Sequence, residues 1–226
     1  MTPEFDRLCR DATAAGLACR GGFHPVPEDG VPDFPDGART GTVVLFGFVG
    51  SDQWPEFGAA PEYADGGSNA LDRWSRRVID ALGAGRGARG LYPSDGPPWW
   101  PFQRWAMRAE SVHRSPLGIL IHPRYGLWHA YRGALAWRDR LDLPPRVDEP
   151  HPCVACQDKP CLGACPVAAV TPQGYDHGIC AEHVASVAGA DCLTAGCRAR
   201  RACPVGAAHR YRPDQAEFHM RAFIRR

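Results

Sequence analysis

The sequence predicts an α+β protein of two parts, a mixed helix and strand domain over residues 1–147 and a small cysteine-rich domain over residues 148–226. Two observations lead to this prediction. Before residue 138, apolar residues recur at helical spacing in some segments and form unbroken runs typical of buried strands in others. Behind the proline-rich stretch Leu141–Pro152, which marks the boundary, lie eight of the ten cysteines.

Two helices and one strand are the clearest elements of the first domain. Residues 3–20 carry apolar side chains at helical spacing, with Thr2 as a cap and Gly21-Gly22 as the end. The run Thr42–Val49 is apolar on both faces, which is typical of a central buried strand. A stripe of leucine, tryptophan and valine predicts a second helix over residues 69–82.

Shorter elements complete the prediction. They are, in order, a loop over Pro25–Gly37, a short strand around Leu91, a helix that starts in the aromatic run Trp99–Trp105 and ends near Ala109, strands over Leu117–Ile121 and Leu127–Trp137, and a basic amphipathic helix over Asp214–Arg226. The aromatic run is expected to pack in the core. The alternative is that it forms a wall of a binding site for a flat cofactor.

Two cysteine arrays, each ending in Cys-Pro, are the strongest chemical signal. Eight thiolates can hold two 4Fe–4S clusters, and in bacterial two-cluster ferredoxins the cysteine before proline binds the cluster of the other array. The sequence therefore predicts a ferredoxin-like domain with crossed ligands. The arrays are Cys153-x2-Cys156-x4-Cys161-x3-Cys165-Pro and Cys192-x4-Cys197-x5-Cys203-Pro, with Cys180 between them. The predicted sets are Cys153, Cys156, Cys161 and Cys203 for one cluster, and Cys165, Cys180, Cys192 and Cys197 for the other.

Three other roles for the cysteines compete with cluster binding. Structural zinc favours pairs of Cys-x2-Cys, of which the chain has one, and often recruits histidine. A disulfide framework needs an oxidising compartment, and the N-terminus lacks the charged and apolar regions of a signal peptide. Buried, inert thiols fit Cys9 and Cys19 but not eight clustered cysteines. Iron–sulfur clusters are thus the preferred interpretation, and a cytoplasmic location is expected.

A second motif lies in Ser115–Ala134, which reads SPLGILIHPRYGLWHAYRGA. It resembles the motif His-Pro-Arg-Phe-Gly-x-Trp-Phe-Ala-x-Arg-Gly of cobalamin-processing proteins of the cobalamin C type and, more loosely, a segment of epoxyqueuosine reductases. The matching residues are His122, Pro123, Arg124, Gly126, Trp128, Ala130, Arg132 and Gly133. The resemblance implies a nitroreductase-like α/β sandwich that binds a corrinoid or a flavin. In epoxyqueuosine reductases a two-cluster ferredoxin module follows that domain.

This resemblance implies cofactor-binding roles for His122, Arg124, Trp128 and Arg132. A strand from Leu127 would place Trp128 and Arg132 on one face. A structural salt bridge is the alternative for Arg132, and a loop histidine satisfied by backbone is the alternative to a cobalt ligand at His122. The implied function is an iron–sulfur oxidoreductase that delivers electrons to bound cobalamin, to reduce it or to remove its upper ligand. The alternatives are a ferredoxin-type electron-transfer protein and an epoxyqueuosine-reductase-like enzyme acting on tRNA.

Composition narrows the choice of partners. Lysine plus arginine (26) nearly balance aspartate plus glutamate (25), so the chain has no strong field for nucleic acid, and tRNA is not the expected partner. Arginines crowd the second cysteine array. They either offset the negative charge of the clusters or form a docking patch for an acidic electron donor such as flavodoxin, ferredoxin or a reductase. The sequence contains no run of about 18 apolar residues, so it predicts no membrane span.

Overall fold

The structure is a computed structural model that describes residues 3–225. Thr2 and Arg226, predicted as a helix cap and a helix end, lie outside the described residues. The helices are α1 (Pro3–Ala14), α2 (Trp54–Gly58), α3 (Pro61–Ala64), α4 (Ala70–Gly83), α5 (Phe102–Ala109), α6 (Pro152–Ala155), α7 (Pro160–Gly163), α8 (His177–Ala185), α9 (Ala190–Ala195), α10 (Arg198–Ala202) and α11 (Pro213–Phe223). The strands are β1 (Ala18–Phe23), β2 (Thr42–Val49), β3 (Ala88–Leu91), β4 (His113–Arg114), β5 (Leu120–Ile121), β6 (His129–Trp137), β7 (Val170–Thr171) and β8 (Gly174–Tyr175). The predicted α+β class is confirmed.

These elements fall into two compact units. One comprises Met1–Ser111 and Ala130–Asp148, and the other comprises Val112–His129 and Glu149–Arg226. The chain therefore enters the second unit at Val112, returns to the first at Ala130 and crosses again after Asp148. The predicted division between residues 147 and 148 lies beside the last crossing, whereas residues 112–129, predicted to belong to the first domain, belong to the second unit.

A four-stranded sheet in the order β1-β2-β6-β3 organises the first unit. β1 pairs antiparallel with β2, and β3 pairs antiparallel with β6. Every residue of β2 is buried, as predicted for a central strand. The predicted apolar stripe of α4 is also buried, and Trp74 in that stripe contacts the rings of Phe48 and Phe57 at centroid distances of 5.6 and 5.7 Å.

The first helix is shorter than predicted. α1 ends at Ala14 because Gly16 adopts a left-handed conformation with a φ of 84°, which glycine reaches without the steric penalty of a Cβ atom. The turn sends the chain back as β1, so Gly21 and Gly22 lie within a strand instead of ending a helix.

Cys9 and Cys19 were predicted to be inert thiols, and this prediction is wrong. The turn between α1 and β1 brings their Cα atoms to 5.2 Å, and the two sulfur atoms form a disulfide. That Cα separation falls within the usual range for disulfides.

The aromatic run contributes unequally to the core. Trp105 in α5 is fully buried, and its Nε1 donates a hydrogen bond to the Asp29 carbonyl at 2.9 Å. Trp99, before the helix, is 64% exposed. The predicted core role therefore holds for Trp105 but not for Trp99, because α5 begins only at Phe102.

The second unit contains short helices and two small sheets, β4-β5 and β7-β8. The predicted C-terminal helix is present as α11, which packs on α9 and buries Gln215 and Ala216. In residues 3–225, no helix combines the length and apolar character that a membrane crossing requires.

Candidate functional site

Four cysteines from separate parts of the second unit line one cavity. Cys165 follows α7, Cys180 lies in α8, Cys192 lies in α9, and Cys197 precedes α10. All four side chains line the same cavity, together with His183, Pro166 and Met220 among others. These four cysteines are the set that crossed ligation predicts for one cluster.

The other four cysteines, Cys153, Cys156, Cys161 and Cys203, interact with one another. Burial raises the pKa of the Cys153 thiol, and the neighbouring Cys203, Cys161 and Cys156 thiols raise it further. The pKa of Cys161 is raised by burial and then by Cys203 and Cys156, and that of Cys203 by burial and then by Cys156. Cys203, near the C-terminal end, therefore lies beside three cysteines of the first array.

Short helices present these thiols. His151 caps α6 because its Nδ1 accepts a hydrogen bond from the Cys153 backbone N–H at 3.2 Å. Cys197 and Cys203 flank α10 at its two ends. The five-residue helix α10 therefore lies between Cys197, which belongs to the set that lines the cavity, and Cys203, which belongs to the other set.

Backbone N–H groups act on sulfur atoms in the cavity. The Ala169 backbone N–H donates to the Cys165 Sγ at 3.3 Å. Burial raises the pKa of the Cys197 thiol, whereas the nearby backbone N–H groups of Arg200 and Ala199 lower it. N–H donors aimed at sulfur stabilise the thiolate form, which is the form that binds metal.

A site for one metal ion is a different arrangement. Between residues 3 and 225, no group of three or more His, Cys, Asp or Glu side chains converges closely enough to hold a single ion. A zinc ion needs its sulfur ligands at about 2.3 Å from one point. A 4Fe–4S cluster is bound at four separate iron corners, so its ligands surround a volume. Four cysteines lining one cavity fit that requirement.

The His-Pro-Arg-Tyr-Gly loop lies in the second unit, between β5 and β6. His122 Nδ1 accepts hydrogen bonds from the backbone N–H groups of Arg124, at 3.0 Å, and Tyr125, at 3.3 Å. Its ring stacks on Tyr125 at a centroid distance of 4.2 Å. The structure therefore gives His122 the backbone-satisfied role. Arg124 is exposed, and its guanidinium lies 5.5 Å from the Tyr125 ring centroid.

This loop contacts the chain segment that follows Cys203. A Cβ atom on Gly126 would lie 1.9 Å from the Val205 carbonyl oxygen, and one on Gly206 would lie 2.2 Å from the Tyr125 carbonyl carbon. Both glycines have positive φ, 59° and 69°. The Cys-Pro-Val-Gly ending of the second array thus packs backbone to backbone against the loop. Cys203 also shares a small apolar core with Ile121 and Leu127.

Arg200, in α10, contacts the end of the His-Pro-Arg-Tyr-Gly loop. Its Nε and Nη2 donate to the Leu127 carbonyl, the former at 3.0 Å. Its guanidinium lies 4.6 Å from the Trp128 ring centroid and 4.4 Å from that of Tyr211. Arginine favours such combined stacking and hydrogen bonding because its guanidinium is planar.

Trp128 and Arg132 do not share a strand. The Trp128 backbone N–H donates to the Tyr125 carbonyl at 3.0 Å, which makes a turn, and β6 begins only at His129. The predicted strand from Leu127 and its single face are therefore wrong. Trp128 is buried beside Tyr211, and its Nε1 has no hydrogen-bond partner in the described part of the chain.

Arg132 is held by α4 in the first unit. Its guanidinium forms an ion pair with Asp72, and its Nε donates to the Ser75 Oγ at 3.2 Å. The side chain is 16% exposed. The structure thus places Arg132 in the salt bridge that was the alternative reading.

Replacing Arg132 by alanine is expected to lower the free energy of unfolding by about 1–3 kcal/mol, because it removes a mostly buried guanidinium together with its ion pair to Asp72 and its hydrogen bond to the Ser75 Oγ. Arg124→Ala, on the exposed loop, should change it by less than about 0.5 kcal/mol. Urea unfolding followed by circular dichroism measures both. Equal effects at the two positions would contradict the structural role of Arg132.

Two residues at the cysteine cavity were not predicted. Burial raises the pKa of the Cys180 thiol and the nearby Tyr175 hydroxyl lowers it, and His183 lines the cavity. The available signal for His183 was its spacing from Cys180, because residues three apart on a helix share a face.

The comparisons with known proteins bear on the fold. No protein-family model and no curated protein matches the chain. Selenomethionine-labelled epoxyqueuosine reductase matches over 95% of this chain and 68% of its own, with a TM-score of 0.55 and 13% identity. The C. elegans B12-trafficking protein CblC, a homologue of human MMACHC, matches over 97% and 91%, with a TM-score of 0.54 and 13% identity. The chain has the fold of these two proteins.

A third structure supports the same conclusion. Epoxyqueuosine reductase with an epoxyqueuosine-modified tRNA-Tyr stem loop matches over 94% of this chain and 70% of its own, with a TM-score of 0.50 and 15% identity. The structural neighbours are thus the two kinds of protein that the motifs of the sequence resemble.

Proposed function

We propose that this protein is an iron–sulfur oxidoreductase that delivers electrons from two 4Fe–4S clusters to a bound corrinoid, either to reduce the cobalt or to remove its upper ligand. The observation that carries the proposal is the sorting of eight cysteines into two groups of four. One group lines a single cavity, and in the other Cys203 and Cys156 raise the pKa of the Cys153 and Cys161 thiols.

The ligand sets are assigned accordingly. Cys153, Cys156, Cys161 and Cys203 would hold one cluster, and Cys165, Cys180, Cys192 and Cys197 the other. When bound, such four-thiolate clusters supply electrons at the low potentials that cobalt reduction demands. Burial of Cys161, Cys192 and Cys203, which are 8%, 5% and 7% exposed, would keep water away from these centres.

The segment His122–Trp128 is the proposed corrinoid contact. Its support is the likeness in fold to a B12-trafficking protein, the exposed Arg124 and the unpartnered indole N–H of Trp128. Arg124 would bind polar edge groups of the macrocycle, and Trp128 Nε1 would donate to a carbonyl of the ligand. Arg132, which is held in its ion pair with Asp72, is left out of the proposed contact. Flavin is the alternative occupant, and a small flavodoxin, ferredoxin or reductase is the proposed electron donor.

Anaerobic purification is expected to yield about eight iron atoms and eight acid-labile sulfides per chain, as two four-thiolate clusters require. Stoichiometric zinc without sulfide would contradict the proposal. Titrating the purified protein with cob(II)alamin should then shift the corrinoid absorption bands. If the clusters are present but the corrinoid absorption bands do not shift, a plain electron-transfer protein is favoured.

Whether the protein acts on tRNA can be tested with the same purified protein. The epoxyqueuosine reductase neighbour is seen with a tRNA stem loop, so binding of this chain to tRNA at low salt is the matching measurement. Backbone-dominated binding would weaken steeply as salt rises. Specific tRNA binding together with the absence of a corrinoid shift would overturn the corrinoid reading.

A further inference from the structure

A histidine with a buried and unpaired nitrogen lines the cavity of Cys165, Cys180, Cys192 and Cys197. Within residues 3–225, His183 Nε2 is buried and has no hydrogen-bond partner. The same side chain lines the wall of this cavity. A buried polar group without a hydrogen-bond partner destabilises the folded state, so a histidine at this position calls for a partner in the cavity.

The position of His183 is fixed by its neighbours. Its carbonyl accepts hydrogen bonds from the Ser186 backbone N–H at 3.0 Å and from the Ser186 Oγ at 2.8 Å. A Cβ atom on Gly189 would lie 1.8 Å from the same carbonyl oxygen, so the chain after α8 packs directly on this residue. Cys180 lies three residues earlier on α8, on the same helical face. The imidazole and the Cys180 thiol therefore reach the cavity from one helix.

The chemistry of the cavity restricts what that partner is. The wall consists of four thiols, the imidazole, Arg198 and apolar side chains that include Pro166, Val184 and Met220. The Arg198 guanidinium carries only donors. The apolar members offer no acceptor to His183 Nε2. An imidazole with its proton on Nε2 donates one hydrogen bond, and the bridging sulfides of an iron–sulfur cluster are acceptors.

We propose that His183 donates a hydrogen bond from Nε2 to the cluster held by Cys165, Cys180, Cys192 and Cys197, and that this bond raises the reduction potential of that cluster. The inference rests on the proposed function, because it needs the cluster to be present. A donor aimed at cluster sulfur stabilises the reduced state, which carries one more negative charge, more than the oxidised state. His183 is thus a positioning and tuning residue and not a ligand.

The test is an anaerobic redox titration of the iron-loaded protein, followed by electron paramagnetic resonance. His183→Leu removes the donor and keeps an apolar wall, and it should shift the midpoint of one cluster to a more negative potential while the other midpoint and the iron content stay unchanged. His183→Gln, which keeps an N–H donor, should recover part of the shift. His177→Leu is the control, because His177 lies on the same helix, is exposed and contacts Phe223.

Each result decides something. Unchanged midpoints in His183→Leu would overturn the inference. If both His183 variants lose iron, pulsed electron paramagnetic resonance on the reduced parent protein is the deciding measurement. A histidine that is hydrogen-bonded to the cluster gives a weak nitrogen coupling. The absence of that coupling would overturn the inference. A parent protein without clusters would instead overturn the proposed function.

Discussion

Replacing Cys203 by serine is expected to reduce the iron content of the anaerobically purified protein from about eight atoms per chain to about four, or to leave one 3Fe centre. The serine hydroxyl is a harder and less acidic ligand than a thiol, so the set of Cys153, Cys156 and Cys161 would lose its fourth member. Iron analysis and electron paramagnetic resonance measure the outcome. Cys9→Ser is the control, because Cys9 belongs to the disulfide with Cys19 and should leave iron unchanged.

Double variants separate crossed from sequential ligation. If Cys203 and Cys153 serve the same cluster, Cys153→Ser in the Cys203→Ser background should remove little further iron. Cys165→Ser in that background should bring iron toward zero. A double Cys153 and Cys203 variant with almost no iron would mean that these cysteines serve different clusters, and the assigned sets would be wrong.

The second large effect is expected at Gly126. Gly126→Ala should lower the free energy of unfolding by more than about 3 kcal/mol, because the new methyl group meets the Val205 carbonyl in a left-handed backbone. Val205 follows the Cys203-Pro204 ending of the second array. The variant should therefore also lose iron from the cluster assigned to Cys203. Urea unfolding and iron analysis measure the two effects.

Gly118 provides a matched control for the backbone term. It also has a positive φ, 75°, but no atom of the described residues lies within 4 Å of the position that a Cβ would take. Gly118→Ala should therefore cost only about 1–2 kcal/mol and keep its iron. Equal losses at both glycines would show that conformational strain alone, and not the contact with Val205, governs Gly126.

The elements predicted well are those with a strong local pattern. β2 matches its prediction at both ends because the run Thr42–Val49 is apolar on both faces, which fits a strand buried on both sides. α4 was predicted from its apolar stripe, with bounds one residue different. α1 was predicted six residues too long, because the left-handed turn at Gly16 interrupts a hydrophobic spacing that continues through it.

The candidate site also contains some residues that a local sequence pattern indicates and others that it does not. The two cysteine sets could be assigned from the sequence because thiolate spacing carries its own chemistry, and their role as cluster ligands stays a prediction. Trp128 and Arg132 were misplaced because the turn from Tyr125 depends on backbone hydrogen bonds that no residue pattern announces. The ion pair of Arg132 with Asp72 joins residues 60 positions apart, and such a long-range pairing is set by the packing of α4 on the sheet.

The way in which the chain crosses between its units has a consequence for evolution and for protein engineering. Val112–His129 is encoded inside the first unit but contributes Ile121, Leu127 and Trp128 to the surroundings of Cys203 and Arg200. A gene cut in the proline-rich linker would therefore give a C-terminal product without the inserted strand pair that covers one of its thiols. Any exchange of the cysteine-rich module between related proteins has to carry this insertion with it, so the two halves of the gene are expected to have changed together and not as interchangeable parts.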